Sequence, residues 1–388
     1  MTSAKKTIGI VAGEQSGQLL AGELLEELTQ QLGHAPELIG VGGGALQERG
    51  LKSIFDADEI ALTGISSVVK ALPMLYRRIG QTADAIIAAK PDCLLLIDSP
   101  EFSLRVARRV KDKLPDLPVI KYVAPTVWAW RPGRAAKMKA YVDHVLAILP
   151  FEPTIMEELG GPKTHYVGHR LMADDALEQV RTQNLKRRRA ADSELNLLVL
   201  PGSRGSEIRS LLDEFGKAVE ILNTRGHRLR TTIPTLPRHV DEVRRRTAGW
   251  THAPKITTTR EQQLEAYANA HAALAASGTV TLELALAAVP AVSCYKVDPL
   301  MKLATSLITT WSAALPNLIA DRPVIREFFN EQIRPGMLAR CVEELSDYGQ
   351  PARKAVLNGY ADVHERMKTE VPASQKAAAI IAEAIRVK

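Results

Sequence analysis

Asp98 stands at the end of an apolar run, in Ile97-Asp98-Ser99-Pro100. A carboxylate at a strand end is partly desolvated. There it serves either as a general base or as the cap of the following helix. His169, in Tyr166-Val167-Gly168-His169, is a second candidate base; its alternative is an imidazole that only hydrogen-bonds backbone. Three glycine- and serine-rich loops also follow apolar runs. The first, Ala12-Gly13-Glu14-Gln15-Ser16-Gly17, opens a helix, so its N–H groups can hold a phosphate or a sugar hydroxyl; the alternative is a tight turn. The second, Pro201-Gly202-Ser203-Arg204-Gly205-Ser206, adds Arg204, whose guanidinium forks onto a phosphate. The third is Ser277-Gly278-Thr279. Glu283, one helical turn beyond Thr279, can accept both hydroxyls of a ribose or can simply face solvent. Two such loops in one half of the chain, with a basic residue and a carboxylate, point to a nucleoside diphosphate. No Asp-x-Asp pair or other metal-ligand spacing accompanies them. The expectation is a metal-free, cofactor-free site in which Arg204 and helix N-termini neutralise the diphosphate.

These loops need a scaffold. Thr7–Ala12, Glu37–Val41 and Cys93–Ile97 read as strands, as do residues 119–123 and 144–149. Helical stretches separate them. Continuous apolar strands of this kind predict a parallel sheet covered on both faces. Residues 170–194 are polar and basic and read as a connection containing a helix. The alternation then restarts with Leu195–Leu200, 271–275 and Ala291–Tyr295. The fold class predicted is α/β, two Rossmann-like domains facing a central cleft, divided as 1–169 and 170–388. Ligands in such sheets sit beyond the carboxyl ends of the strands. The alanine-rich segment 373–385 is expected to cross back onto the first domain or to pack on a partner.

Composition narrows the classes. The chain has 388 residues, 46% hydrophobic and 24% charged, which excludes wholesale disorder and coiled coil. Three cysteines are too few and too scattered for a disulfide framework, so a reducing compartment fits. The formal net charge of +6 favours acidic partners. Its basic clusters are short and not interleaved with aromatics, so nucleic-acid binding has no support. Ile65, Val68, Val69, Leu72, Leu75, Tyr76 and Ile79 form a stripe at helical spacing, kinked by Pro73 and flanked by Lys70, Arg77 and Arg78. Alone, such a stripe is either core or an interfacial helix on anionic lipid. No apolar run reaches membrane-spanning length and no secretory leader opens the chain, so a cytoplasmic location with peripheral membrane contact is expected.

Together these residues resemble the lipid-A-disaccharide synthases, glycosyltransferases of the two-Rossmann GT-B type. The specific part is Pro125-Thr126-Val127-Trp128-Ala129-Trp130-Arg131 followed by Leu149-Pro150-Phe151-Glu152; Leu315-Pro316-Asn317-Leu318 extends the match. Gln18 and Asn330 depart from the family pattern. The resemblance implies an inverting transfer that joins UDP-2,3-diacylglucosamine to 2,3-diacylglucosamine 1-phosphate and releases UDP. It implies Asp98 as base and Gly13, Glu14 and Ser16 as sugar-positioning residues. It implies Arg204, Ser277, Gly278 and Thr279 on the diphosphate, Glu283 on the ribose and Asn317 on the donor. Two lipid substrates also tilt the stripe toward the inner-membrane surface, with Val68, Val69, Leu72 and Leu75 facing acyl chains. A monomer or a homodimer fits equally. The rival readings are another UDP-N-acetylglucosamine enzyme of the same architecture (a peptidoglycan-precursor transferase or a 2-epimerase) and a non-catalytic nucleotide-binding protein.

Overall fold

Strands form where apolar runs can be buried on both faces. The computed structural model describes residues 5–13, 15–60, 65–187, 194–297 and 309–386, and the backbone alone at 15 and 65–70. The chain divides into two units, Met1–Arg170 with Thr369–Lys388, and Leu171–Lys368.

The first unit holds β1 (Thr7–Ala12), β2 (Glu37–Val41), β3 (Cys93–Ile97), β4 (Val119–Tyr122), β5 (His144–Ala147) and β6 (Lys163–Tyr166). They form one six-stranded sheet in the order β2-β1-β3-β4-β5-β6. Every pairing is parallel; Ile8 lies opposite Cys93 and Leu94 opposite Val119. The chain runs from β1 out to β2 and then crosses to β3 on the other side. That reversal opens a crevice beyond the ends of β1 and β3. Helix α1 (Gln15–Leu32) starts at the end of β1, α2 (Ile65–Ala89) precedes β3, and α3 (Pro100–Lys113) follows it. Helix α1 packs against the last helix of the chain (Ala373–Arg386): Leu24, Leu28, Ala377 and Ile381 are all buried in one apolar cluster. The segment from Thr369 onward therefore belongs to the first unit, the first of the two alternatives expected for the alanine-rich segment 373–385.

The second unit repeats the plan with β7 (Leu195–Leu200), β8 (Leu229–Pro234), β9 (Lys255–Thr257), β10 (Ala272–Ala276), β11 (Ala291–Tyr295) and β12 (Arg326–Phe329). The order is β12-β11-β10-β7-β8-β9, all parallel. Its reversal falls between β7 and β10. Helices α4 (Asp175–Lys186), α5 (Gly205–Thr224), α6 (Arg260–Asn269) and α7 (Thr279–Leu286) flank this sheet. Among the described residues, no helix is long and apolar enough to cross a membrane.

The α2 stripe is not one surface. Ile79 is buried in the core and Leu75 packs on that core from the edge, while Tyr76 is 54% exposed. Leu72 is half-buried, and the Val68 and Val69 side chains lie outside the described residues. Arg78, expected beside the stripe as a lipid-facing cation, is instead held by the Glu59 carboxylate at 2.8 and 2.5 Å and lies 4.6 Å over the Phe55 ring.

Candidate active site

The turn after β3 presents Asp98 by bending backbone that L residues avoid. Asp98 and Ser99 take φ values of 53° and 42°, both in the left-handed region. The Asp98 carboxylate is half-buried. Its Oδ1 accepts from Ser99 N at 3.0 Å and its Oδ2 from Ser16 Oγ at 3.3 Å. Its backbone carbonyl accepts from Ser103 Oγ at 3.0 Å and from Lys121 Nζ at 2.5 Å. The loop after β1 approaches so closely that Gly13 leaves no room for a side chain and Gly17 leaves little. A Cβ on Gly13 would stand 2.8 Å from Ser99 Oγ, and one on Gly17 would stand 3.2 Å from Asp98 Cβ. Ser16 and Asp98 are thereby brought together; Glu14 lies outside the described residues.

Buried ionisable groups line the neighbouring strand ends. Lys121 sits fully buried in β4 beneath the Asp98 turn. Glu152, fully buried after β5, accepts from Leu149 N at 3.0 Å and from Trp128 Nε1 at 3.2 Å, and Trp128 meets Phe151 edge to face. This hydrogen bond ties the Trp-Ala-Trp loop to the Pro-Phe-Glu turn. Burial pushes the Glu152 carboxyl up to about 7 against the hydrogen bonds it accepts. His169 is also buried, and burial together with nearby Arg170 lowers its imidazole to about 4. It is neutral at pH 7.

The loops after β7 and β10 of the second unit bound a cavity of about 490 Å³ lined by Gly202, Arg204, Arg260, Ser277, Thr279 and Glu283, among others. Gly202 and Gly278 adopt φ values of 113° and 146°, which only glycine takes without strain. Arg204, largely exposed, ion-pairs with Glu207 at 2.8 Å. Glu207 also accepts from the backbone N–H groups of Ser203 and Arg204, at 3.0 and 3.2 Å. A carboxylate thus occupies the anion cradle of this loop. Ser277 Oγ donates to Ala313 O at 2.8 Å, while Thr279 is exposed at the start of α7.

Glu283 is not solvent-facing. Its Oε2 accepts from Arg260 at 3.3 Å, Gln263 at 3.3 Å and Tyr267 at 3.1 Å. Arg260 in turn ion-pairs with Asp174 at 2.7 Å. Asn317 differs from expectation. It is buried, and its Nδ2 donates to Ile325 O and Glu327 while its Oδ1 accepts from Val324 N and Ile325 N, at 2.8–3.1 Å. With its whole amide engaged it braces residues 324–327 and has no free group for a donor sugar. Lys121, Glu152, Arg260, Gln263 and Tyr267 were missed as site residues. Two signals were visible: a lysine inside the apolar run Val119–Tyr122, since buried lysine is rare, and Glu152 at the end of the Leu149-Pro150-Phe151-Glu152 motif.

Two parallel doubly wound sheets, each with its loops gathered at a switch point, define the GT-B class of glycosyltransferase folds. Solved structures agree on the fold. The glycotransferase of kitacinnamycin matches with a TM-score of 0.63 at 16% identity, over 99% of this chain and 100% of that one. Acinetobacter baumannii MurG matches with a TM-score of 0.57 at 16% identity, over 98% and 99%. The lipid-A-disaccharide synthetase family model matches residues 8–382. The Nitrobacter winogradskyi lipid-A-disaccharide synthase is 44% identical over 384 residues, 98% of this chain and 96% of that protein. The Rhodopseudomonas palustris (strain ATCC BAA-98 / CGA009) enzyme is 41% identical over 389 residues, covering 98% and 97%. The chain belongs to the lipid-A-disaccharide synthase family and is a glycosyltransferase of lipid A biosynthesis.

Proposed function

We propose that this chain joins UDP-2,3-diacylglucosamine to 2,3-diacylglucosamine 1-phosphate by a single inverting displacement. Asp98 takes the proton of the acceptor 6-hydroxyl. The freed oxygen bonds to the donor anomeric carbon as that carbon's bond to the diphosphate breaks, and UDP leaves with the electron pair. The transition state is oxocarbenium-like. Gly13, Glu14 and Ser16 position the sugars. Arg204, Gly278 and Thr279 take the diphosphate, which displaces Glu207 from the loop amides; Ser277 holds the loop through Ala313. Glu283, oriented by Arg260, Gln263 and Tyr267, accepts from the ribose. The acyl chains lie at a lipid surface against the accessible part of the α2 stripe, around Leu72 and Tyr76.

The observation that carries this reading is the strained Asp98 turn, which presents a half-exposed carboxylate beside Ser16 at the switch point of its sheet. The test mixes the protein with both substrates in detergent micelles and follows UDP release and the tetra-acyl disaccharide 1-phosphate by mass spectrometry. Equimolar formation of the two is expected. UDP binding with no disaccharide would move the reading to a different acceptor.

A further inference from the structure

The first unit carries a second groove, of about 570 Å³, that the roles above do not use. It begins at Pro100, two residues past Asp98, and continues along α3 to the short helix Arg134–Met138. Arg105, Arg108, Arg131, Arg134 and Lys137 line it against the single carboxylate of Glu101. Glu101 is shared between Arg134, at 2.7 Å, and Arg105, at 3.6 Å. Among the described residues, Arg108, Arg131 and Lys137 have no carboxylate within ion-pair distance. Like charges so gathered repel one another, and a bridging anion relieves that repulsion.

Two further features say what kind of anion fits. Arg131 is held by a left-handed backbone, φ 57°, and its guanidinium lies 4.1 Å over the Trp130 ring. Strain of this kind persists at ligand clamps. Arg105 lies 5.6 Å over the ring of Tyr76, the exposed residue of the α2 stripe. The groove therefore runs from the turn that carries the base to the helix that carries the apolar stripe. An acyl-glucosamine phosphate has the matching parts: a hydroxyl, a phosphate and acyl chains.

We propose that this groove binds the phosphate of the lipid acceptor, with Arg108, Arg131 and Lys137 as its main contacts. The proposal rests on the acceptor named under Proposed function. It makes the groove the element that distinguishes acceptor from donor, because only the acceptor ends in a phosphate monoester.

The experiment compares wild type with Arg108→Gln/Lys137→Gln and with Arg131→Gln, each checked for an unchanged circular dichroism spectrum. Acceptor and donor KM are measured in neutral micelles, with 2,3-diacylglucosamine 1-phosphate and with the same molecule lacking its phosphate. The expected result is a roughly tenfold to hundredfold rise in acceptor KM, from loss of charge-assisted hydrogen bonds. Donor KM stays unchanged, and the variants no longer prefer the phosphorylated acceptor. Flotation with phosphatidylglycerol vesicles forms the second arm. Variants that lose vesicle binding and raise both KM values alike, with phosphate preference intact, would overturn the proposal and make the groove a general patch for anionic lipid. If wild type makes no disaccharide, binding of the phosphorylated acceptor to micellar protein still decides the matter. Phosphate-dependent binding that the variants lose supports the groove while the transfer reading fails, and binding that they keep overturns it.

Discussion

The two switch-point rims solve one geometric problem in opposite ways. In the second unit the loops after β7 and β10 bend at glycines, Gly202 and Gly278, at φ 113° and 146°. In the first unit the loops after β3 and β4 instead bend at Asp98, Ser99, Val123 and Arg131, at φ 53°, 42°, 68° and 57°. Val123 is β-branched, for which this conformation is a genuine outlier. Glycine lets a ligand meet the backbone, which is what binding a diphosphate needs. A side-chain-bearing residue in the same conformation costs energy but aims a functional group, which is what a general base needs. The ionisable groups divide in the same way. Lys121, Glu152 and His169 of the first rim are buried, whereas Arg204 of the second is exposed. One rim is built for chemistry and the other for capture.

The largest test of that contrast is the pH dependence of the first rim. Glu152 is raised to about 7 in the fold, so its stabilising contribution is complete below its ordinary carboxylate value and is lost as pH rises through 7. His169 is lowered to about 4, so its contribution is complete above its ordinary imidazole value and is lost as pH falls through 4. The two oppose each other. The stability of Glu152→Gln relative to wild type should rise by roughly 3 kcal/mol between pH 4.5 and 7.5, followed by chemical denaturation. A difference that stays constant with pH would mean that the carboxylate is already ionised in its turn.

On the second rim, Gly202→Ala should weaken UDP binding by about 2 kcal/mol, measured by calorimetry. An added Cβ would sit 2.3 Å from the Glu207 carboxylate, in a conformation alanine resists. Unchanged affinity would show that the backbone there is not approached. Arg260→Gln should raise donor KM roughly tenfold with acceptor KM unchanged, through loss of a charge-assisted bond to Glu283. Equal changes in both would make Arg260 a structural strut. The smallest effect is also the most diagnostic. Asp98→Gly should raise stability by about 1 kcal/mol in thermal melts, because the left-handed strain is released, while transfer is lost. A destabilised variant would show that the turn is not strained.

Much of this was legible in the residues. The strands Thr7–Ala12, Glu37–Val41, Cys93–Ile97, Leu195–Leu200 and Ala291–Tyr295 stand where the apolar runs predicted them. Four strands did not announce themselves. β6 and β9 are short edge strands with polar, partly exposed residues, β12 is a half-exposed edge strand, and β8 alternates instead of running apolar. The loops were legible because glycine, serine and a strand end leave a local signature. Arg260 was not, because it reaches Glu283 across 23 residues of chain and only the fold, which sets both α6 and α7 against α4, brings them together. Asn317 misled for the same reason: its partners lie seven to ten residues ahead and consume its amide. Arg78 carries a charge like Arg77, and only the fold reveals that Glu59 neutralises it.

The central claim is that Asp98 is the base and that the second rim only binds. The direct measurement is the transfer rate of Asp98→Asn beside its UDP affinity. The account predicts a loss of about 10²- to 10⁴-fold in kcat, with UDP affinity and fold unchanged. A variant that transfers at near wild-type rate would contradict it and leave the strained carboxylate only its hydrogen bonds from Ser99 and Ser16.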